Sequence, residues 1–323
     1  MKKDPPFFEQ KTPMTTSENE QRLWNEPSQH LTIPEKYDPL LLKRVGERIT
    51  EASKQMESIF FQVRGGREVP LVEIKEKIIP IIKKAAEIPH IYHLFFELNE
   101  KERYTYRHPI GVGIISRVIG KWLKLNEQEL EDLTLGATLY DIGKASVPSD
   151  ILNKTGKLTR EEYEIMSNHT VYGYNLLKNT DHINENVALI ALQHHEREDG
   201  NGYPIGIKGS QISYLAKIVA VADVFHAMSS PKIYHEALPF YGVIKQMEQD
   251  TFGRLDPKIV LTFLNKVMDS LIGRKVLLSD GNIGTIVLIN PYEPIRCLVQ
   301  TEDHLIDLKY NHHLQIERVL EDN

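Results

Sequence analysis

The chain has 323 residues, 41% hydrophobic and 26% charged, enough apolar material for one sizeable core and one or two smaller units. A net charge of −6 argues against a general binder of nucleic-acid polymers, which needs a dense Lys/Arg surface, and leaves a small anionic ligand open. The single cysteine, Cys297, excludes an intramolecular disulfide framework, no apolar run approaches the roughly 20 residues of a spanning helix, and the opening MKKDPPFFEQ lacks the apolar core of a signal peptide; a cytoplasmic protein is expected.

In chain order, residues 1–36 are polar and proline-rich and read as a tail. Residues 37–100 form an N-terminal helical region, with apolar positions at three- and four-residue steps from Asp38 to about Gln62 and from Leu71 to about Leu98. Its ridge of Ile74, Ile78, Ile81 and Ile82 is expected to pack on a neighbouring helix or on the partner of a homodimer. Residues 101–270 stay helical in pattern, through HPIGVGIISRVIGKWL, EQELEDLTLGATLYDIG, LTREEYEIMSNHTVYGYNLL, ENVALIALQHHE and SYLAKIVAVADVFHAMSS, with Thr159 opening a capping box. The long Gly/Pro-rich loop REDGNGYPIGIKGS interrupts them. After about Gly273 the period changes to that of strands, and residues 271–323 predict a small β-unit of four or five strands. The fold class expected is mainly α, an all-helical core with a helical N-terminal region and a small C-terminal β-unit.

The chemistry-bearing residues fall in the helical middle. His108 opens one helix, Asp141 ends another, His169 sits late in a third, and His194 and His195 are adjacent. Each alone has an ordinary structural reading, as a cap, a surface residue or a satisfied core histidine. Two buried imidazoles side by side each need a partner, and one metal ion satisfies both. Asp223 interrupts the apolar run KIVAVADVF, where an unpaired carboxylate is costly. It requires a cation, either a basic side chain or a metal, and the imidazoles favour metal. Oxygen and nitrogen donors without thiolate suit Mn, Fe or Zn. Lys144, one helical turn beyond Asp141, lies on the same face, where it can meet a phosphate oxygen or simply remain solvated.

The order His108, then Tyr140-Asp141-Ile-Gly-Lys144, then His169-x-x-x-Gly173, then HHEREDGNGYP from 194 to 204, then VADVFHAMSS, resembles the HD-GYP family, a branch of the HD metal phosphohydrolases that degrades cyclic di-GMP. The resemblance spans about residues 70–268. It implies an HD-type helical core and the ligands His108, Asp141, His169, His194, His195 and Asp223 for one or two divalent transition ions, Fe or Mn, with Asp141 bridging. It also implies Asp141 and Lys144 as catalytic residues, Lys144 on phosphate, and Gly202, Tyr203 and Pro204 beside the dinucleotide. The product would be the linear dinucleotide or GMP.

Three positions depart from the family pattern. Tyr140 stands where the histidine of the His-Asp pair belongs, Tyr104 stands where a subset carries a glutamate for a third ion, and Lys232 and His235 replace two arginines. Lysine does not reproduce a guanidinium's bidentate grip on phosphate. With Tyr140, the ion held by Asp141, His169, His194 and His195 keeps its whole set while the other loses a ligand. A single tightly held ion is expected, with the phenol filling volume and donating a hydrogen bond. Retention of six ligands and Lys144 favours a cyclic di-GMP phosphodiesterase, with Tyr140 expected to slow it. The alternative is a degenerate module that binds cyclic di-GMP or a protein, and an enzyme acting on another cyclic nucleotide is a third reading.

Overall fold

Amphipathic spacing of Val45, Ile49, Ala52, Met56, Ile59, Phe60 and Val63 gives helix α1 (Pro39–Arg64) one buried face. The computed structural model describes residues 39–88, 91, 104–229, 240–250 and 253–320, all within one packed unit that spans Lys36–Asn323. The expected polar tail at residues 1–36 lies outside the described residues, as do Lys232, His235 and the side chain of Tyr104.

The next helical stretch differs from the single long helix that its periodicity predicts. It consists of α2 (Leu71–Glu73), a wider π-helical turn (Ile74–Ile78) and α3 (Ile79–Ala85). Pro80 has no N–H for the carbonyl four residues back, so the turn ahead of it widens. Ile74, Ile78 and Ile82 are fully buried, and Ile81 packs partly against the core.

The core that holds the site is built from α4 (Tyr104–Trp122), α5 (Glu127–Leu139), α8 (His169–Lys178), α9 (Glu185–Gln193) and α10 (Tyr214–Ser229). Helix α4 packs on α5 and α10, and α9 packs on α5 and α8. Asn126 caps α5, its side chain accepting from the Glu129 amide while Glu129 returns the bond. A 3₁₀ turn (Ile142–Ser146) and the short helices α6 (Ser149–Leu152) and α7 (Arg160–Ser167) connect α5 to α8. The Thr159 capping box forms as predicted. The segment from 160 to 178 is two helices, however, broken at Asn168, so His169 opens a helix instead of lying late in one. His108 is likewise the fifth residue of α4, followed at once by Pro109 inside the helix.

Helices α11 (Phe240–Asp250) and α12 (Pro257–Asp269) lead into a five-stranded antiparallel sheet: β1 (Lys275–Leu278), β2 (Ile283–Leu288), β3 (Leu298–Gln300), β4 (Leu305–Asp307) and β5 (Ile316–Val319), in the order β4-β3-β2-β1-β5. The Tyr241 hydroxyl donates to the Ile295 carbonyl at 2.9 Å, joining sheet to helices. Among the described residues no helix is long and apolar enough to cross a membrane.

Candidate metal centre

Three imidazoles converge. His169 at the start of α8 and His194 and His195 just past the end of α9 place their ring nitrogens within 4.8 Å of one another. Two of the rings are locked by main-chain carbonyls. His169 Nδ1 donates to Met166 O at 2.8 Å, and His194 Nδ1 donates to Ala191 O at 2.9 Å. With those protons committed, both Nε2 atoms carry lone pairs, and they face each other at 3.3 Å. Two lone pairs at that distance repel unless a cation lies between them.

Asp141 completes the group. It follows α5 as the residue before the 3₁₀ turn, and its Oδ1 lies 3.2 Å from His169 Nε2 and 3.8 Å from His194 Nε2. Since His169 offers a lone pair there, Oδ1 is a buried carboxylate oxygen without a hydrogen bond. The other oxygen accepts from Lys144 Nζ at 2.6 Å. Burial pushes the Asp141 carboxyl up, and the Lys144 ammonium is foremost in pulling it down, to well below the usual carboxylate range. Burial also lowers the His194 imidazole to about 4 and places His195 well below its ordinary value, so both rings are neutral at pH 7, as a ligand must be.

Glycine permits the approach of the two segments. A Cβ on Gly143 would lie 2.0 Å from His169 O and 2.3 Å from Gly173 N, all main chain. The Asp141 turn therefore rests directly on the start of α8, which carries His169.

His108 and Asp223 form a second set. His108 Nε2 donates to Asp223 Oδ1 at 2.8 Å, and Tyr140 Oη donates to the same oxygen at 2.9 Å. His108 Nδ1 then accepts from His226 Nδ1 at 2.8 Å. The ring of Tyr140 is 1% exposed and packs edge-on against His194 with centroids 4.7 Å apart. Burial raises the Asp223 carboxyl, but His108 more than reverses this and holds it well below the carboxylate range. In this structure the Asp223 carboxylate accepts hydrogen bonds from an imidazole and a phenol.

The Gly202-Tyr203-Pro204 loop borders the triad. Tyr203 stacks on His195, centroids 4.6 Å apart, and its amide donates to the His195 carbonyl. Gly200 has the positive φ (+80°) expected of a turn glycine, whereas Gly202 does not; a Cβ there would lie 2.5 Å from the backbone of His195, Glu196 and Arg197. Sequence reasoning missed Glu196 and His226. The buried Glu196 carboxylate accepts from the amides of Ile205, Gly206 and Ile207, pinning the loop beside the two histidines. His226, which directly follows the apolar run around Asp223, sits against Gly111, where any Cβ would lie 2.1 Å from its ring.

The HD domain family matches residues 91–259. A cyclic di-GMP phosphodiesterase of Thermotoga maritima is 35% identical over 70% of this chain and 63% of its own. One of Pseudomonas aeruginosa is 30% identical over 74% of this chain and 57% of its own, and a 3'3'-cGAMP-specific phosphodiesterase of Vibrio cholerae is 32% identical over 50% and 35%. The chain spans about six-tenths of the length of the two cyclic di-GMP phosphodiesterases it matches.

Proposed function

Because this chain belongs to the HD domain family, in its HD-GYP branch, we propose that it is a metal-dependent phosphodiesterase that hydrolyses cyclic di-GMP to the linear dinucleotide or to GMP. The observation that carries the reading is the pair of main-chain-locked Nε2 lone pairs of His169 and His194 beside the one carboxylate oxygen of Asp141 that lacks a hydrogen bond, with His195 in the same imidazole cluster.

His169, His194, His195 and Asp141 would hold one divalent ion, and nitrogen and oxygen donors without thiolate fit Mn or Fe. When bound, the ion supplies Lewis acidity for attack on a phosphodiester. The protein supplies the rest. Lys144, 27% exposed, sits at the solvent side of Asp141 and is the ammonium a phosphate oxygen would meet on entry. Tyr203, stacked on His195, offers its ring edge and backbone to a bound base. His108 and Asp223 are read here as the frame of Tyr140 and not as ligands, which leaves one ion per chain.

The test is turnover of cyclic di-GMP, followed by chromatography, on anaerobically purified protein with Mn²⁺ or Fe²⁺. Turnover lost in both Asp141→Ala and His194→Ala supports the reading, and a wild-type protein that binds metal without turnover refutes it. The bond from Tyr140 to Asp223 favours a second reading, a degenerate module that binds the dinucleotide without cutting it. Under that reading Tyr140→His gains the activity that the wild type lacks. A relative named for 3'3'-cGAMP makes that nucleotide the second substrate to assay.

A further inference from the structure

We propose that Arg64 is a positioning residue for Lys144, tying the end of α1 to the turn that carries it. The kinetic consequence rests on the phosphodiesterase reading; the structural one does not. Arg64 is the last residue of α1, and its guanidinium reaches a segment some 80 residues further along the chain. Nη1 donates to Ser149 Oγ at 2.9 Å, Nε to Ala145 O at 3.2 Å, and Nη2 to Lys144 O at 3.3 Å and Val147 O at 3.5 Å.

The segment it grips is of a kind that needs gripping. Ile142–Ser146 is a 3₁₀ turn, with poorer hydrogen bonds than an α-helix; the capping Val147 amide donates to Lys144 O, and the following carbonyl, of Ala145, faces Pro148, which has no N–H to give it. A rigid fork of donors satisfies several carbonyls at once, where a single ammonium serves about one. The inner side of the same turn is fixed by Gly143 lying on the backbone of His169 and Gly173. The turn is therefore clamped between Arg64 outside and α8 inside, and Lys144 leaves it with its ammonium 2.6 Å from Asp141. Because the lysine stem is long and flexible, its reach depends on where its backbone is held.

Arg64 is not needed to hold α1 in place. Seven apolar side chains of that helix, from Val45 to Val63, are buried. Loss of the guanidinium should release the outer face of the turn and leave the fold intact. Misplacement of a catalytic group by about 1 Å can cost about 100-fold in rate, so loss of one side of a two-sided clamp is assigned roughly tenfold.

The experiment pairs hydrogen exchange with kinetics in wild type, Arg64→Ala, Arg64→Lys, Lys144→Met and the double variant Arg64→Ala/Lys144→Met. Amides of residues 142–149 should exchange about tenfold faster in Arg64→Ala while the buried helices α4 and α10 keep their protection. Arg64→Lys should restore less than half of the lost protection. The kcat for cyclic di-GMP should fall roughly tenfold with KM changed less than about twofold, and Arg64→Ala should add nothing once Lys144 is Met. Unchanged exchange in Arg64→Ala, or an equal kcat loss in the Lys144→Met background, overturns the proposal. If the wild type does not hydrolyse the dinucleotide, the phosphodiesterase reading fails alone, and exchange still decides the role of Arg64. If Arg64→Ala does not fold, Arg64→Lys decides, and wild-type protection in it overturns the proposal.

Discussion

Tyr140→Phe isolates the feature on which the proposed single-ion site rests. The change removes one oxygen, the donor 2.9 Å from Asp223 Oδ1, and keeps the ring that packs on His194, so no cavity opens. A hydrogen bond to a charged group contributes about 1.5–3 kcal/mol, and the remaining bond from His108 spares Asp223 from complete orphaning, which places the expected cost at about 2 kcal/mol. For a unit of this size that lowers Tm by about 3 °C. The assay is urea and thermal unfolding of EDTA-treated protein, with metal content counted in parallel on reloaded samples. Tyr140→Phe should remain at one ion per chain, since it removes a donor without adding a ligand. Tyr140→His should rise to two ions, and its loss of stability should be recovered on adding Mn²⁺. Unfolding of Tyr140→Phe within about 0.5 kcal/mol of wild type would refute the role given to the phenol, because surface-like substitutions have effects of that size. A wild-type count of two ions would refute the assignment of His108 and Asp223 as its frame.

Other expectations follow from the same geometry. Gly143→Ala forces a methyl into the His169 backbone, so it should cost about 3 kcal/mol and abolish metal retention through dialysis. Glu196→Gln keeps the shape but forfeits the charge-assisted bonds to Ile205, Gly206 and Ile207; it should cost about 2 kcal/mol and expose the 199–207 loop to limited proteolysis. Cys297 is buried, and burial pushes its thiol up to about 12. A folded-state value above the unfolded one gives stability that is complete below about pH 8.5 and is lost as pH rises from there toward the folded value. Thiol titration should accordingly find no reactive group in native protein at pH 8 and one after denaturation, and stability should decline with pH across that alkaline range.

Much of the fold is written in local patterns that depend on few long-range contacts. The Thr159 capping box and the turn from helical to alternating periodicity after Gly273 are of this kind, and both appear as read. The failures are also local, and each has a cause. Residues 160–178 keep a helical pattern on both sides of Asn168, so periodicity alone does not reveal the break that turns His169 into the first residue of α8. Pro80 falls early in a helix-like stretch, where its effect, a widened turn behind it, looks the same in sequence as a continuous helix. His226 is hidden because a lone imidazole at the end of an apolar run is an ordinary core residue until Gly111 shows the room made for it. The tautomers that aim His169 and His194 depend on carbonyls of Met166 and Ala191, and no residue type announces where a carbonyl points.

The phenol of Tyr140 meets one need of an ion and not the other. As a hydrogen-bond donor it satisfies Asp223, and together with His108 it removes the penalty of a buried carboxylate lacking partners. As a neutral group it adds no charge. Near the site stand two carboxylates, Asp141 and Asp223, and the ammonium of Lys144. One divalent ion leaves this set with a single net positive charge, whereas two would leave three. A cyclic dinucleotide carries two phosphates, so attraction survives with one ion. What weakens is the neutralisation of charge that builds on the phosphoryl oxygens during attack. Binding should therefore be retained better than turnover. The substitution that would separate the two is at residue 140, where a histidine should raise kcat while leaving the affinity for substrate changed far less.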